Sequence, residues 1–248
     1  MSVKVVEALQ AEGGGKTGVA GDQTGNEIVI RTFKRRSYNF SSCLRCIDVE
    51  MANRAVGYAK RIAECSQFGY SQEHRWNGAK QIERVGVDNI EYAGAGDFDC
   101  SSLVLSCYRF AGLPIKMTGY TGNMTEILLK SNKFRDAADV LTDIEYAHVG
   151  DVLVAPGTHT LMIITNGSKY ATDDDEYDTP PSDRYVYVKG ENVRIRTGAG
   201  KTFPTTWIAH KGDTFPLCEI DEDTGWYWIY TDCGIWCITG NSRYTELR

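Results

Sequence analysis

The sequence predicts an α+β domain followed by a small all-β domain. Three observations indicate this: apolar residues at helical spacing after Asp99, a strand–turn–strand pattern over residues 148–166, and short alternating β runs after residue 184. An acidic, proline-bearing stretch separates the two patterns. We therefore place the first domain at residues 1–172, a linker at 173–184 and the second domain at 185–248.

Charge and hydropathy exclude two classes of partner. The formal net charge is −6, and the one basic cluster, at residues 34–36, is too short to indicate a nucleic-acid surface. No segment approaches the ~18 consecutive apolar residues of a membrane span, so we expect no membrane insertion. The first residues lack a signal-peptide pattern, which predicts synthesis in the cytoplasm with reduced cysteines.

Two short motifs imitate ligand sites. Residues 13–17 (Gly-Gly-Gly-Lys-Thr) look like a phosphate-binding loop, but Gln10 stands where that pattern needs its first glycine. Cys43 and Cys46 have the spacing of half a zinc site, but the sequence has no second Cys or His pair at ligand spacing to complete it. We therefore predict no metal and no cofactor, and small buried side chains for most cysteines.

Cys100 is the exception among the eight cysteines. Asp99 has the character of an N-cap, and Gly112 that of a stop signal, so Cys100 falls in the first turn of a buried helix. Backbone N–H groups and the helix dipole there are expected to lower the pKa of the thiol and to bind an oxyanion. Cys107, two turns further on, is expected in the core.

A thiol nucleophile needs a base, and the chain has four histidines. His159 follows a Pro-Gly turn and opens an apolar strand, which makes it the preferred candidate. His148 stands before the preceding strand and is the alternative. His74 lies in a segment that indicates a surface position, and His210 lies in the β-rich second domain.

Three segments in order resemble the NlpC-type cell-wall cysteine peptidases, a papain-like family. Residues 99–104 (Asp-Cys-Ser-Ser-Leu-Val) resemble its Asp-Cys-Ser-Gly-Leu-Val signature, and residues 148–154 and 157–163 resemble its Gly-Asp and Gly-x-His strands. The related CHAP amidases share this order, so the two families stay open.

The resemblance implies a papain-like catalytic domain in which Cys100 is the nucleophile and His159 the base. Asp99, Ser101 and Ser102 are then expected to contact substrate. Family members carry a third polar residue that orients the histidine; its usual histidine is absent here, and we expect Asn166 to serve.

The second domain resembles bacterial SH3-type domains. Residues 192–200 (Asn-Val-Arg-Ile-Arg-Thr-Gly-Ala-Gly) match the opening of that family, and later Gly-Trp segments match its following strands. Such domains usually hold cell-wall peptides. The segment has more aromatic residues than a core of its size requires, so we expect Trp207, Trp226 and Trp228 to line a binding face.

Two further expectations concern the first domain. Residues 21–25 (Gly-Asp-Gln-Thr-Gly) resemble an N-terminal motif of certain phage lysins and are expected near the active cleft, although a flexible loop is an alternative. Residues 49–84 are expected to be helical, with alanines on one face.

Together these resemblances imply a phage-type peptidoglycan hydrolase that cuts an amide bond of the wall, most plausibly between D-Glu and the third stem residue. The bond between muramic acid and L-Ala is the alternative, and an inactive wall-binding protein is another. Release through a holin-type pore would bring the chain to the wall. The oligomeric state and the host are not predicted.

Overall fold

A computed structural model describes residues 2–34, 38–169, 184–231 and 234–248. Contacts within the chain divide it into two compact units, residues 1–170 and 171–248. Apart from Arg184, the predicted linker lies outside the described residues. Within the described ranges, no helix has both the length and the apolar character to cross a membrane.

The first unit is built on an antiparallel sheet with a short parallel pair beside it. Its strands are β1 (Lys4–Ala8), β2 (Ile28–Thr32), β3 (Ser42–Cys46), β4 (Phe68–Tyr70), β5 (Gly96–Phe98), β6 (Phe134–Asp136), β7 (Val152–Ala155) and β8 (His159–Ile163). The large sheet has the order β2-β1-β8-β7-β3-β6, and β4 pairs in parallel with β5. The chain's first strand therefore lies directly beside β8.

The helices of the first unit are α1 (Val49–Ala63), α2 (Asn77–Val85), α3 (Cys100–Phe110), α4 (Met124–Lys130) and α5 (Ala138–Thr142). Short 3-10 turns cover Glu12–Gly14, Val87–Tyr92 and Ile144–Tyr146. Helix α3 packs against α1 on one side and β8 on the other. It is buried around most of its circumference, as a central helix should be.

The predicted helix over residues 49–84 is wrong in its middle part. The chain leaves the helical conformation after α1 and forms β4 before α2 begins. Phe68 and Tyr70 are both buried, and they pair with Gly96 and Phe98 of β5. The pairing partner lies outside the segment, so the helical pattern on either side concealed the strand.

The loop between β1 and β2 packs against the parallel pair. The backbone N–H of Gly21 donates to the Asp97 carboxylate at 3.1 Å, and the N–H of Asp22 donates to the Ser66 carbonyl at 2.8 Å. The N–H of Gln72 donates to the Lys16 carbonyl at 2.7 Å. The Gly-Asp-Gln-Thr-Gly segment is therefore tied to the core of the first unit.

The second unit is all β. Its strands are β9 (Tyr185–Val188), β10 (Val193–Arg196), β11 (Thr205–Ala209), β12 (Thr214–Asp221), β13 (Trp226–Thr231), β14 (Gly234–Thr239) and β15 (Thr245–Leu247). They form one sheet in the order β11-β10-β14-β13-β12-β9-β15. Ile195, Ile229, Trp236 and Ile238 are among its fully buried side chains.

Candidate active site

Cys100 is the first residue of α3, as the sequence predicted. The Asp99 side chain accepts a hydrogen bond from the backbone N–H of Ser102 at 2.7 Å, and the Ser102 hydroxyl accepts one from the backbone N–H of Asp99 at 2.8 Å. This reciprocal capping box fixes the start of the helix. The nucleophile candidate therefore stands on a rigid backbone.

The polar side chains at the start of α3 form this cap by bonding to one another; they are Asp99, Ser101 and Ser102. The Ser101 hydroxyl donates to Asp99 at 2.9 Å, and the three residues are 4%, 1% and 0% exposed. Their side chains therefore face one another and not an open surface. The three residues thus hold the first turn of α3, and the contact with substrate expected for them stays a prediction.

The β7–β8 hairpin places His159 at the start of β8. His159 opens β8 opposite Ala155 of β7, as the turn pattern predicted. The backbone of Thr160, the residue after His159, lies beside the Cys100 thiol and opposes the rise of its pKa. The start of β8 therefore carries His159 and also the Thr160 backbone that lies beside Cys100, and α3 packs on this strand.

Glu7 is the functional candidate that sequence reasoning missed. It lies on β1 beside β8, and its Oε2 is 2.7 Å from His159 Nε2. Its other oxygen accepts a hydrogen bond from the Arg31 guanidinium of β2. Glu7 is fully buried and His159 is 3% exposed. The one signal in the sequence is a carboxylate within the apolar strand of residues 4–8.

The surroundings fix the orientation of the imidazole. The Tyr38 ring stacks on His159 with centroids 4.3 Å apart and an angle of 22° between the planes. His159 Nε2 is the ring nitrogen that faces Glu7. Burial opposes the charge of Glu7, but hydrogen bonds from His159 and Arg31 outweigh it and lower the pKa of that carboxyl.

The predicted low pKa of Cys100 is wrong for the resting site. Burial, with a smaller contribution from Asp99, raises the pKa of the thiol from 9.0 to about 12, although backbone N–H groups partly oppose this. Such a rise corresponds to about 4 kcal/mol. A helix N-terminus supplies about 1–2 kcal/mol at most. Desolvation therefore dominates, and Cys100 is a neutral thiol before substrate arrives.

Asn166 and His148 lie at the other end of the hairpin. Asn166 follows β8, and its Oδ1 accepts a hydrogen bond from the Val149 N–H at 2.8 Å. Gly150 bonds to the carbonyl of Ile163, the last residue of β8, so His148 is also near that end. Asn166 therefore bonds within the far end of the hairpin, and the carboxylate that meets His159 is that of Glu7, because β1 borders β8.

The described cysteines form no metal site. Cys43 and Cys46 lie on β3 as buried free thiols, and three residues apart on a strand their side chains leave from opposite faces. Across the residues that the structure describes, no three His, Cys, Asp or Glu side chains are grouped to hold a metal ion. Cys107 is fully buried in α3.

The three tryptophans chosen for the second unit do not share one face. The Trp207 ring contacts Trp236, a core residue, with centroids 5.2 Å apart. Trp228 pairs with Cys237, the residue next to Trp236, so it leaves the sheet on the opposite side. Trp226 is two residues from Trp228 on β13, and both are partly exposed. Only these two form a shared aromatic surface.

Comparison with known proteins assigns the family. The family model of the endolysin-like domain (ELLD) matches residues 6–170. The chain belongs to the endolysin-like family. The match covers the whole described site, from Glu7 to His159. Membership indicates a peptidoglycan-lytic function and a cell-wall hydrolase. No curated protein and no solved structure gives a significant match.

Proposed function

We propose that this endolysin-like protein hydrolyses an amide bond of peptidoglycan with a Cys100–His159–Glu7 triad on an NlpC-type, papain-like fold. The observation that carries the proposal is the buried Glu7–His159 pair at the start of β8, the strand whose Thr160 backbone lies beside the Cys100 thiol. His159 is held by this buried carboxylate at 2.7 Å. A nucleophile, a base and an orienting acid are the parts that acyl transfer requires.

The chemistry begins with a neutral thiol. His159 takes the Cys100 proton as the sulfur attacks the amide carbonyl, and Glu7 stabilises the imidazolium that forms. The backbone N–H groups of Cys100 and Ser101 have no intrahelical acceptor and are proposed to bind the oxyanion, whereas the Ser102 N–H is taken by Asp99. When the carbon–nitrogen bond breaks, His159 returns the proton to the leaving amine. Water then cleaves the thioester, giving a carboxylic acid and the free thiol.

The papain-like assignment is supported by the order and packing of the parts. The nucleophile begins a helix that packs on an antiparallel sheet, and the histidine opens the second strand of a hairpin in that sheet. The third residue comes from the chain's first strand. Glu7 is thus a candidate for the third polar residue, whose absence would favour an inactive wall-binding protein.

The bond between D-Glu and the third stem residue is the proposed target, and the bond between muramic acid and L-Ala is the alternative. The second unit is proposed to be an SH3-type domain that holds the wall, with Trp226 and Trp228 on its binding surface. The protein would reach the wall after release from the cytoplasm through a separate pore.

Digestion of purified cell walls tests this function. We expect new amino groups without new reducing sugars, because an amide and not a glycosidic bond is cut. Mass spectrometry of the products distinguishes the two bonds: a new N-terminal diamino acid indicates the endopeptidase, and a new N-terminal L-Ala indicates the amidase. Reducing sugars without amino groups would contradict the proposal.

A further inference from the structure

We propose that Arg75 binds a carboxylate of the wall peptide and makes the enzyme selective for anionic stem peptides. The inference rests on the proposed function, since it concerns the substrate of the same site. It begins with the loop of residues 71–76, which connects β4 to α2 and which the predicted helix had hidden.

The parallel pairing of β4 and β5 brings this loop to the nucleophile. Tyr70 pairs with Phe98, so the chain leaves both strands at the same end. Asp99 and Cys100 follow β5, and the loop follows β4. As a result, Arg75 Nη1 lies 2.8 Å from Asp99 Oδ2. Asp99 is the residue directly before Cys100, the proposed nucleophile.

The Arg75 side chain is held in place before any ligand binds. Its Nε donates to the Gln72 carbonyl at 2.8 Å, in addition to the ion pair with Asp99. A guanidinium has five N–H donors in a fixed plane, so donors remain for another acceptor. Preorganisation of this kind reduces the entropy lost on binding.

The ion pair presents its positive end to solvent. The Asp99 side chain is 5% exposed, whereas that of Arg75 is 30% exposed. One Asp99 oxygen is bound by Ser101 and Ser102 and the other by Arg75. The carboxylate is therefore occupied by internal partners, and the group that meets an arriving ligand is the cation.

Stem peptides offer two carboxylates to such a group. A D-Glu linked through its side chain keeps a free α-carboxylate next to the proposed scissile bond, and the peptide also ends in a carboxylate. Arginine binds a carboxylate through parallel, charge-assisted hydrogen bonds. Amidation of the bound carboxylate would remove both the charge and an acceptor.

The test compares three muramyl tetrapeptides: one with both carboxylates free, one amidated at D-Glu and one amidated at the C-terminus. Wild-type protein is expected to prefer the free peptide over one of the amidated forms by about 10- to 100-fold in kcat/KM. The amidated peptide that is cleaved less efficiently identifies which carboxylate Arg75 binds. In Arg75→Gln this preference should fall to near unity, mainly through a higher KM for the free peptide, while Arg75→Lys should keep part of it.

Arg109→Gln is the matched control. Arg109 is also ion-paired, with Glu83 at 2.7 Å, and similarly exposed at 37%, but it lies at the far end of α3. It should retain the wild-type preference. Equal cleavage of all three peptides by wild-type protein would overturn the role of Arg75 and leave the proposed hydrolysis standing. An unchanged preference in Arg75→Gln would do the same. Failure to cut any peptide would contradict the proposed hydrolysis and this inference with it.

Discussion

Glu7, whose carboxylate has no access to water, is the most informative residue of the candidate site. Glu7 would lose several kcal/mol on burial as an isolated ion, and it is retained here between two hydrogen-bond donors, His159 and Arg31. The Arg31 guanidinium stabilises the Glu7 carboxylate, and the carboxylate is proposed to stabilise a protonated His159. A buried ion pair stabilises a fold poorly compared with apolar packing, so the contact of this one with the histidine of the proposed site favours a catalytic role.

Replacement of Glu7 should therefore affect rate more than fold. We expect Glu7→Gln to lower kcat for wall digestion by about 10²–10⁴, because a neutral amide no longer stabilises the imidazolium. Asn166→Ala should keep activity within a few-fold and lose about 1 kcal/mol of stability with its bond to Val149. The reverse ranking of the two variants in a turbidity assay would restore Asn166 as the orienting residue.

Two residues of the proposed triad could be named from the sequence, and the third could not. Cys100 and His159 stand in local patterns, an N-cap before a helix and a turn before a strand, which depend on neighbours in sequence. Glu7 lies 152 positions from His159 and meets it only because β1 joins β8. The thiol pKa was also missed, since it depends on burial by the whole sheet and not on the first turn of α3.

At the scale of elements, the start of β7 is fixed by a buried ion pair. Arg45 of β3 donates to both oxygens of Asp151, at 2.9 and 2.7 Å, and Asp151 accepts from the His148 N–H at 2.8 Å. Burial, together with Arg45 and Arg135, lowers the pKa of His148 from 6.5 to about 3. His148 is therefore a neutral structural residue in the folded protein.

This arrangement predicts a stability that depends on pH. Below pH 6.5 the unfolded chain protonates His148 while the folded chain does not, so folding stability falls as the pH decreases toward 3. At pH 4.5 the loss amounts to about 2–3 kcal/mol. Hydrogen exchange of the β7 and β8 amides measures it. In His148→Asn the fall in folding stability between pH 7 and pH 4.5 should be smaller by about that amount. A fall as large as in the wild-type protein would contradict the assignment of His148 as a neutral buried residue.

The elements show where sequence patterns are limited. Helix α3 and the β7–β8 hairpin were predicted because their apolar periods and caps agree. Strand β4 has three residues and pairs with β5 across a helix and a loop, so a helical period on both sides concealed it. The loop that carries Arg75 was missed for the same reason.

On the scale of the whole molecule, the chain is two units with separate cores. Each has its own sheet, and the family match ends at residue 170, where the first unit ends. The aromatic surface lies on the second unit, and the triad lies on the first. Binding and cutting are therefore expected to be separable.

Expression of residues 184–248 alone tests this separation. The fragment should fold, because its buried residues come from its own strands, and it should sediment with purified walls without releasing amino groups. A Trp226→Ala and Trp228→Ala double variant should bind walls at least tenfold more weakly, whereas Tyr244→Ala, outside that surface, should bind as the parent fragment does. A folded fragment with no wall affinity would contradict the binding role.

The covalent step at Cys100 is the central claim, and mass spectrometry of the quenched enzyme with a muramyl peptide tests it most directly. We expect a thioester adduct on Cys100 in the wild-type protein and in Cys107→Ala, which should lose about 1 kcal/mol or more of stability but remain active. Cys100→Ala should give neither adduct nor cleavage while remaining folded. Cleavage that persists in Cys100→Ala, or an adduct on any other residue, would contradict the account.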